Sequence, residues 1–145
     1  MKITIITPLV SNNCLGRAYI LAQMLQKYFD TEIVGFSMGG IWEPLKEVED
    51  IKIKSVPLDR KHLWRSIKQL MEMIEGDVIY ASKLYLVSFG VAILQSLKTS
   101  RPLVLDIDDL DILDIMGDAS WLKRLYIYLD PRRLQNPFSP IYTLL

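Results

Sequence analysis

MKITIITPLVSNNCLGRAYILAQMLQKYFD, residues 1–30, is the stretch that decides the fold. Its first part, residues 2–7, is almost continuously apolar and β-branched. Such a run is typical of a parallel strand that is covered by helices on both faces. Pro8 cannot donate a ladder hydrogen bond, so we expect the strand to end there.

A polar loop through Asn12 and Asn13 follows this strand, and we expect a helix from about Gly16. The helix carries apolar residues at helical spacing. In α/β proteins, ligands bind where the carboxyl end of a central parallel strand leads into a helix N-terminus. The loop contains neither the G-x-G-x-x-G pattern nor a Walker sequence, which disfavours a dinucleotide-dependent dehydrogenase.

The chain then alternates strands with helices. The pattern predicts strands at residues 32–37, 51–56, 77–81 and 103–107, and helices at residues 61–74 and 84–98. Polar and apolar residues alternate in the 51–56 strand, which indicates an outer strand, whereas the 84–98 helix is apolar nearly all round and is expected to be buried. Asp59 is expected to cap the first of these helices and Gly76 to terminate it. Right-handed crossovers then predict an α/β fold, a Rossmann-like doubly wound parallel sheet with helices on both faces.

Composition narrows the possible partners. The chain has 145 residues, enough for one domain or for a piece of a larger protein, and its mean hydropathy of +0.20 is high for a small domain. The 17 basic and 17 acidic residues balance, so no overall field favours nucleic acid. The single cysteine, Cys14, excludes an internal disulfide and suits a reducing compartment. No secretory signal is recognisable, and the expected location is cytoplasmic.

An acidic cluster follows the last predicted strand: Asp106, Asp108, Asp109, Asp111 and Asp114. Three interpretations stay open. Asp106 and Asp108 have a spacing that would let two carboxylates share a divalent cation. Asp108 or Asp109 could act as a general base or hold a substrate hydroxyl. Alternatively, Asp109 or Asp111 caps a following helix and the other carboxylates are solvated. His62, the only histidine, is expected at the surface.

The C-terminal part differs in character from the rest. Residues 121–129 mix aromatic side chains with Lys123 and Arg124, which is compatible with a peripheral membrane contact or with packing against another part of the protein. The last residues, 141–145, are apolar and lack a helix-terminating signal, so the sequence is interpreted as truncated relative to its natural architecture.

Several of these segments together resemble the N-terminal domain of GT-B glycosyltransferases, and the similarity is greatest to the retaining family 4 group. MKITIITP resembles the first strand of that domain, and Leu15-Gly16-Arg17-Ala18 stands at the head of its first helix. EIVGFS, DVIYAS and RPLVLDIDD resemble its later strands, and the segment from NPFS onward is similar to the helix before the sixth strand. The resemblance covers essentially the whole chain.

The resemblance implies an acceptor-side domain of an enzyme that transfers a sugar from a nucleotide-sugar donor to a hydroxyl acceptor. The donor-binding C-terminal domain would be missing or separately encoded, and residues 1–145 alone would be inactive. No cofactor and no metal is implied. Asp108 stands where many members carry a histidine near the reacting centre and is the catalytic candidate. The substrate-binding candidates are Asn13, Gly16, Arg17, Lys83, Asp106 and Asp109.

Two alternatives accompany this expectation. The chain could be a non-catalytic binding or scaffold subunit that docks a separately encoded partner, or it could form a homodimer. Either contact would cover the apolar surface that the high mean hydropathy predicts. A metal-dependent GT-A enzyme would instead bind manganese through Asp106 and Asp108.

Overall fold

Five parallel strands form one sheet in the order β3-β2-β1-β4-β5 in a computed structural model that describes residues 1–107. The strands are β1 Lys2–Leu9, β2 Asp30–Ser37, β3 Lys52–Pro57, β4 Val78–Ser82 and β5 Leu103–Asp106. The helices are α1 Cys14–Leu25, α2 Leu63–Glu72, a π-helix Leu86–Gly90 and α3 Val91–Thr99, with a 3₁₀ turn at Glu43–Leu45. The predicted α/β, Rossmann-like fold is confirmed.

Helices cover both faces of the sheet. One apolar cluster joins α1 to odd-numbered residues of β1, such as Ile3 and Ile5. The other joins α2 and α3 to Ile6 of β1 and Ile79 of β4. This division follows from the period of two along a strand, which points successive side chains to opposite faces. Strand β1 lies at the centre because β2 and β4 both pair with it.

The first strand is longer than predicted. It continues through Pro8 to Leu9, and its pairing with β2 shifts register between Thr7 and Leu9. The prediction that Pro8 ends the strand is wrong because an irregular register absorbs the missing N–H. Helix α1 begins at Cys14, before Gly16, and ends at Leu25.

The α2 region corrects two predicted helix boundaries. Asp59 accepts hydrogen bonds from the N–H groups of Lys61 and His62, so it caps the turn ahead of α2 and is not the residue that begins the helix. Gly76 lies beyond the helix end. A Cβ at Gly76 would lie 2.4 Å from the Thr4 nitrogen, so this glycine permits close contact with β1.

The helix predicted at residues 84–98 is split into the π-helix and α3. Its outer side is not buried, because Leu97 is 78 % exposed.

Strand β3 is an edge strand, as its alternating sequence predicted. Within residues 1–107, no helix has the length and apolar character needed to cross a bilayer. Residues 108–145, which include Asp108, Asp109 and the 121–129 segment, lie outside the described residues.

A charge network fastens the amino-terminal edge of the sheet. The buried carboxylate of Glu32 on β2 lies 2.9 Å from the Nζ atoms of both Lys2 on β1 and Lys54 on β3. The same two lysines contact Glu75 at 2.6 and 2.8 Å, and Thr4 donates to Glu32 at 2.8 Å. The network therefore ties three strands to the segment that enters β4.

The pKa values in this network predict acid lability. Hydrogen bonds from Lys2 and Lys54 lower the pKa of Glu75 from 4.5 to about 2. Burial raises the pKa of Glu32, but hydrogen bonds from Lys54 and Lys2 outweigh it and lower that pKa overall. A carboxyl group with a depressed folded-state pKa stabilises the protein above its unfolded pKa, and this stabilisation is lost as the pH falls through the folded pKa.

We therefore expect the free energy of unfolding to decrease as the pH falls from 4.5 to about 2, with a smaller decrease in Glu75→Gln. Urea titrations at several pH values measure this difference. Glu47→Gln is the matched control, because Glu47 is exposed and forms no ion pair with any residue of the described chain. Equal pH dependence in wild type and Glu75→Gln would contradict the assigned role of Glu75.

Candidate functional site

The carboxyl ends of β1 and β4 define the candidate site. The chain leaves β1 for α1 on one face, whereas it leaves β4 for the π-helix and α3 on the other face. The strand order reverses between these two neighbouring strands. In open parallel sheets this divergence leaves a crevice in which ligands bind.

Two residues predicted from the sequence meet here. Arg17, in the first turns of α1, forms a two-pronged ion pair with Asp106, the last residue of β5. Its Nε lies 3.0 Å from Oδ2 and its Nη2 lies 2.8 Å from Oδ1. The planar guanidinium matches a carboxylate in this geometry. The fork connects the helix after β1 to the far strand of the described sheet and largely neutralises both charges.

Lys83 adjoins the same pair through its backbone. Its N–H donates to the Asp106 carbonyl oxygen at 2.9 Å, and its own carbonyl accepts from Ser88 Oγ at 2.9 Å. Lys83 has φ +71°, a left-handed conformation that is uncommon for a non-glycine residue. The surroundings fix this conformation, and such residues cluster at functional sites. Ser88 was not singled out from the sequence, because its role depends on the π-helix.

The turn before α1 uses its backbone N–H groups internally. Cys14 donates to the Asn12 side chain, Leu15 to the Asn12 carbonyl and Gly16 to the Asn13 carbonyl. These three groups would otherwise be the usual donors to an anion at a helix N-terminus. Their internal partners argue against a phosphate cradle. The side chain of Asn13 is exposed beside this turn.

Close packing explains why a residue without a side chain occupies position 16. A Cβ added to Gly16 would lie 2.9 Å from Cζ3 of Trp42, closer than real Cβ atoms approach a neighbour. The indole ring therefore packs directly against the backbone of α1. This contact accounts for the glycine without a ligand, and its predicted contact with substrate stays a prediction.

Two buried hydroxyl groups near this edge were missed by sequence reasoning. Thr7 and Ser82 follow the paired residues Ile6 and Ala81 by one position, so they are neighbours on adjacent strands. Both are almost fully buried, and neither hydroxyl has a hydrogen-bond partner within the part of the chain that the structure describes. An unpaired buried hydroxyl typically costs about 1–3 kcal/mol. Hydroxyl residues near the carboxyl ends of two apolar strands are the sequence signal that could have found them.

Tyr80 on β4 is influenced by the same charges. Burial raises the pKa of its phenol, the Asp106 carboxylate raises it further, and the Arg17 guanidinium acts in the opposite direction. Tyr80 and Ser82 are two residues apart in β4, so they point to the same face of the sheet, where Tyr80 packs with the α1 cluster. Its titration therefore reports on the charge balance of the candidate site.

The remaining candidates lie elsewhere. His62 is exposed, as predicted, and its Nδ1 lies 2.8 Å from the Asp59 carboxylate at the end of β3, a pairing that lowers the pKa of Asp59. No group of three potential metal ligands occurs in residues 1–107. The carboxylate of Asp106 is engaged by Arg17, and Asp108 and Asp109 lie outside the described residues.

Substitution of Asp106 or Arg17 tests whether their charges influence the pKa of Tyr80. Asp106→Asn should lower the pKa of Tyr80, because it removes the negative charge that opposes phenolate formation. Arg17→Gln should raise it, because it removes the opposing positive charge. NMR titration of isotope-labelled tyrosine rings measures both shifts, with Tyr80→Phe used for assignment.

Glu47→Gln is the control variant and should leave the Tyr80 titration unchanged. Shifts of the same sign in Asp106→Asn and Arg17→Gln would contradict the assigned arrangement of these three residues.

Comparisons of the chain with protein-family models, with curated proteins and with solved structures give no match.

Proposed function

We propose that the chain is the acceptor-side domain of a GT-B-type glycosyltransferase and forms one wall of the cleft in which a sugar is transferred to a hydroxyl group. The observation that carries this proposal is the Arg17–Asp106 fork at the edge where the strand order reverses. The resemblance of the strand segments to that enzyme group supplies the reaction class.

The polarity of the edge favours a hydroxyl-bearing acceptor over a phosphate. The turn before α1 has used the N–H groups of Cys14, Leu15 and Gly16, and the nearby Arg17 is paired with a carboxylate. An approaching anion would have to compete with Asp106 for the guanidinium. A neutral hydroxyl can instead exchange hydrogen bonds with carboxylate and guanidinium groups that are partly exposed, without adding an unpaired charge.

In the proposed reaction, the chain orients the acceptor and assists the loss of its proton. Asp106 and Arg17 lie at the edge and can orient an acceptor hydroxyl, with Asn13, Gly16, Lys83 and Asp109 as further proposed contacts. Asp108, two residues after Asp106, is the proposed general base. The donor nucleotide-sugar would bind a second domain, encoded in the same gene or separately. This proposal includes a cytoplasmic location, which the single free cysteine favours.

A second candidate is a non-catalytic scaffold subunit. The outer side of α1 carries Ile20 and Met24, both more than half exposed, and Tyr28, in the turn after the helix, is 80 % exposed. Residues four apart share one helix face, so Ile20 and Met24 form an exposed apolar stripe on α1. A separately encoded partner, or a second copy of the chain, could cover it.

The glycosyltransferase proposal predicts that residues 1–145 alone neither transfer sugar nor bind a nucleotide-sugar more tightly than about millimolar. Calorimetry with a panel of nucleotide-sugars and a transfer assay measure both. Tight binding or transfer by this chain alone would contradict the proposal. Joining it to the protein encoded directly downstream should produce transfer.

The joined protein also separates the two candidates. Asp106→Asn should weaken transfer, whereas the control Glu47→Gln should not. The scaffold candidate predicts instead that no donor-binding domain is encoded nearby and that Ile20→Glu/Met24→Glu abolishes complex formation. These stripe variants should leave transfer intact if the glycosyltransferase proposal holds and no subunit covers α1.

A further inference from the structure

A shallow groove of about 350 Å³ runs between α2 and α3, on the sheet face opposite α1. Its lining combines an apolar floor with charged walls: Trp64, Lys68, Met71, Glu72, Leu94 and Lys98. This groove does not include any residue of the candidate site at the carboxyl edge. A role for this groove does not depend on the proposed transferase function.

Cationic side chains surround the groove. Lys68 and Lys98 stand on its two walls, and Arg65 is exposed beside Trp64 on α2. Arg60 and Lys61 are exposed in the turn that leads into the helix. None of these five forms an ion pair with another residue of the described chain. Two carboxylates offset these five cations, Glu72 in the groove lining and Asp59 next to Arg60, so positive charge remains in excess.

Two large apolar side chains are exposed on these two helices, Trp64 in the groove lining and Leu97 next to Lys98 in the sequence. Trp64 is 65 % exposed and Leu97 is 78 % exposed. The apolar side of α2, with Ile67 and Leu70, is already buried in the core, so the helix cannot turn over to hide Trp64. Tryptophan combines an apolar ring with a polar N–H and is favoured at membrane–water interfaces.

The opposite side of the molecule has the reverse charge. Residues 43–50 carry four carboxylates, Glu43, Glu47, Glu49 and Asp50, against one cation, Lys46, and this segment packs with α1 through Leu45. The chain as a whole has no net charge, so an anionic surface would attract one face and repel the other. This separation of charge would give a bound molecule a single orientation.

We propose that the α2–α3 groove and its surrounding cations form a peripheral docking surface for anionic lipid. The lysine and arginine side chains would contact the lipid headgroups, and Trp64 and Leu97 would enter the interfacial region. The combination of a cationic cluster with apolar anchors matches the two signals that stable peripheral binding requires. This surface consists of other residues than the 121–129 segment, for which the sequence left open a membrane contact or packing against another part of the protein.

Vesicle co-sedimentation tests the proposal with the full chain. It should sediment with vesicles of phosphatidylglycerol mixed with phosphatidylcholine, and not with phosphatidylcholine alone. Binding should be lost when salt rises from about 0.1 M to about 1 M, because the screening length falls from about 10 Å to about 3 Å. Lys68→Glu/Lys98→Glu should weaken partitioning at least about tenfold. Trp64→Ala should weaken it while leaving the salt dependence in place.

Lys27→Glu/Lys46→Glu is the matched control. It changes the net charge by the same amount, and its exposed lysines lie on the α1 side of the sheet. It should retain at least half of the wild-type binding, and circular dichroism should show that all variants are folded. Equal loss in the two double variants would overturn the proposal, as would absence of binding to anionic vesicles. Capture of polyglutamate without vesicle binding would also overturn it and indicate an acidic protein partner.

Discussion

Strand β1 is the constraint on which the rest of the structure depends. It pairs on both sides, with β2 and β4, and residues from Ile3 to Val10 are buried. Because both faces are covered, its backbone can be satisfied only by its two neighbours. The position of β1 also decides where the strand order reverses, and hence which edge of the sheet has a crevice.

The two ends of β1 serve different purposes. At the amino end, Lys2 joins the network with Glu32, and the charges are matched over short distances. At the carboxyl end, the Thr7 hydroxyl is buried without a partner in the described chain, and Arg17 forms its two-pronged ion pair with Asp106. The amino end of β1 therefore lies in a network of paired charges, whereas its carboxyl end lies beside a buried hydroxyl that has no partner in the described chain.

The sequence predicted the features that depend on local patterns. Apolar runs and helical spacing indicated every described strand and the approximate positions of the helices, and the alternation in β3 indicated an edge strand. Features that depend on distant partners were not predictable. The position of Gly76 after a helical pattern predicts a helix terminator. Its contact with Thr4 could not be predicted, because Thr4 is 72 residues away in sequence.

The same limit applies to the candidate site. Arg17 and Asp106 were both expected there, but the ion pair that joins them spans 89 residues and had no sequence signal. The predicted substrate contact of Gly16 stays a prediction, and the group that packs against its backbone in the structure is the Trp42 ring. Thr7 and Ser82 are near strand ends in the sequence. That their hydroxyls are buried without a hydrogen-bond partner in the described chain depends on the tertiary fold and could not be predicted.

We propose that the carboxyl edge between β1 and β4 binds a neutral, hydroxyl-rich ligand. The most direct measurement is an amide NMR titration of residues 1–145 with simple methyl glycosides, compared with inorganic phosphate. We expect glycosides to change the amide chemical shifts around Thr7, Gly16, Lys83 and Asp106, and phosphate to change them less. Shifts confined to other surfaces, or a stronger response to phosphate at this edge, would contradict it.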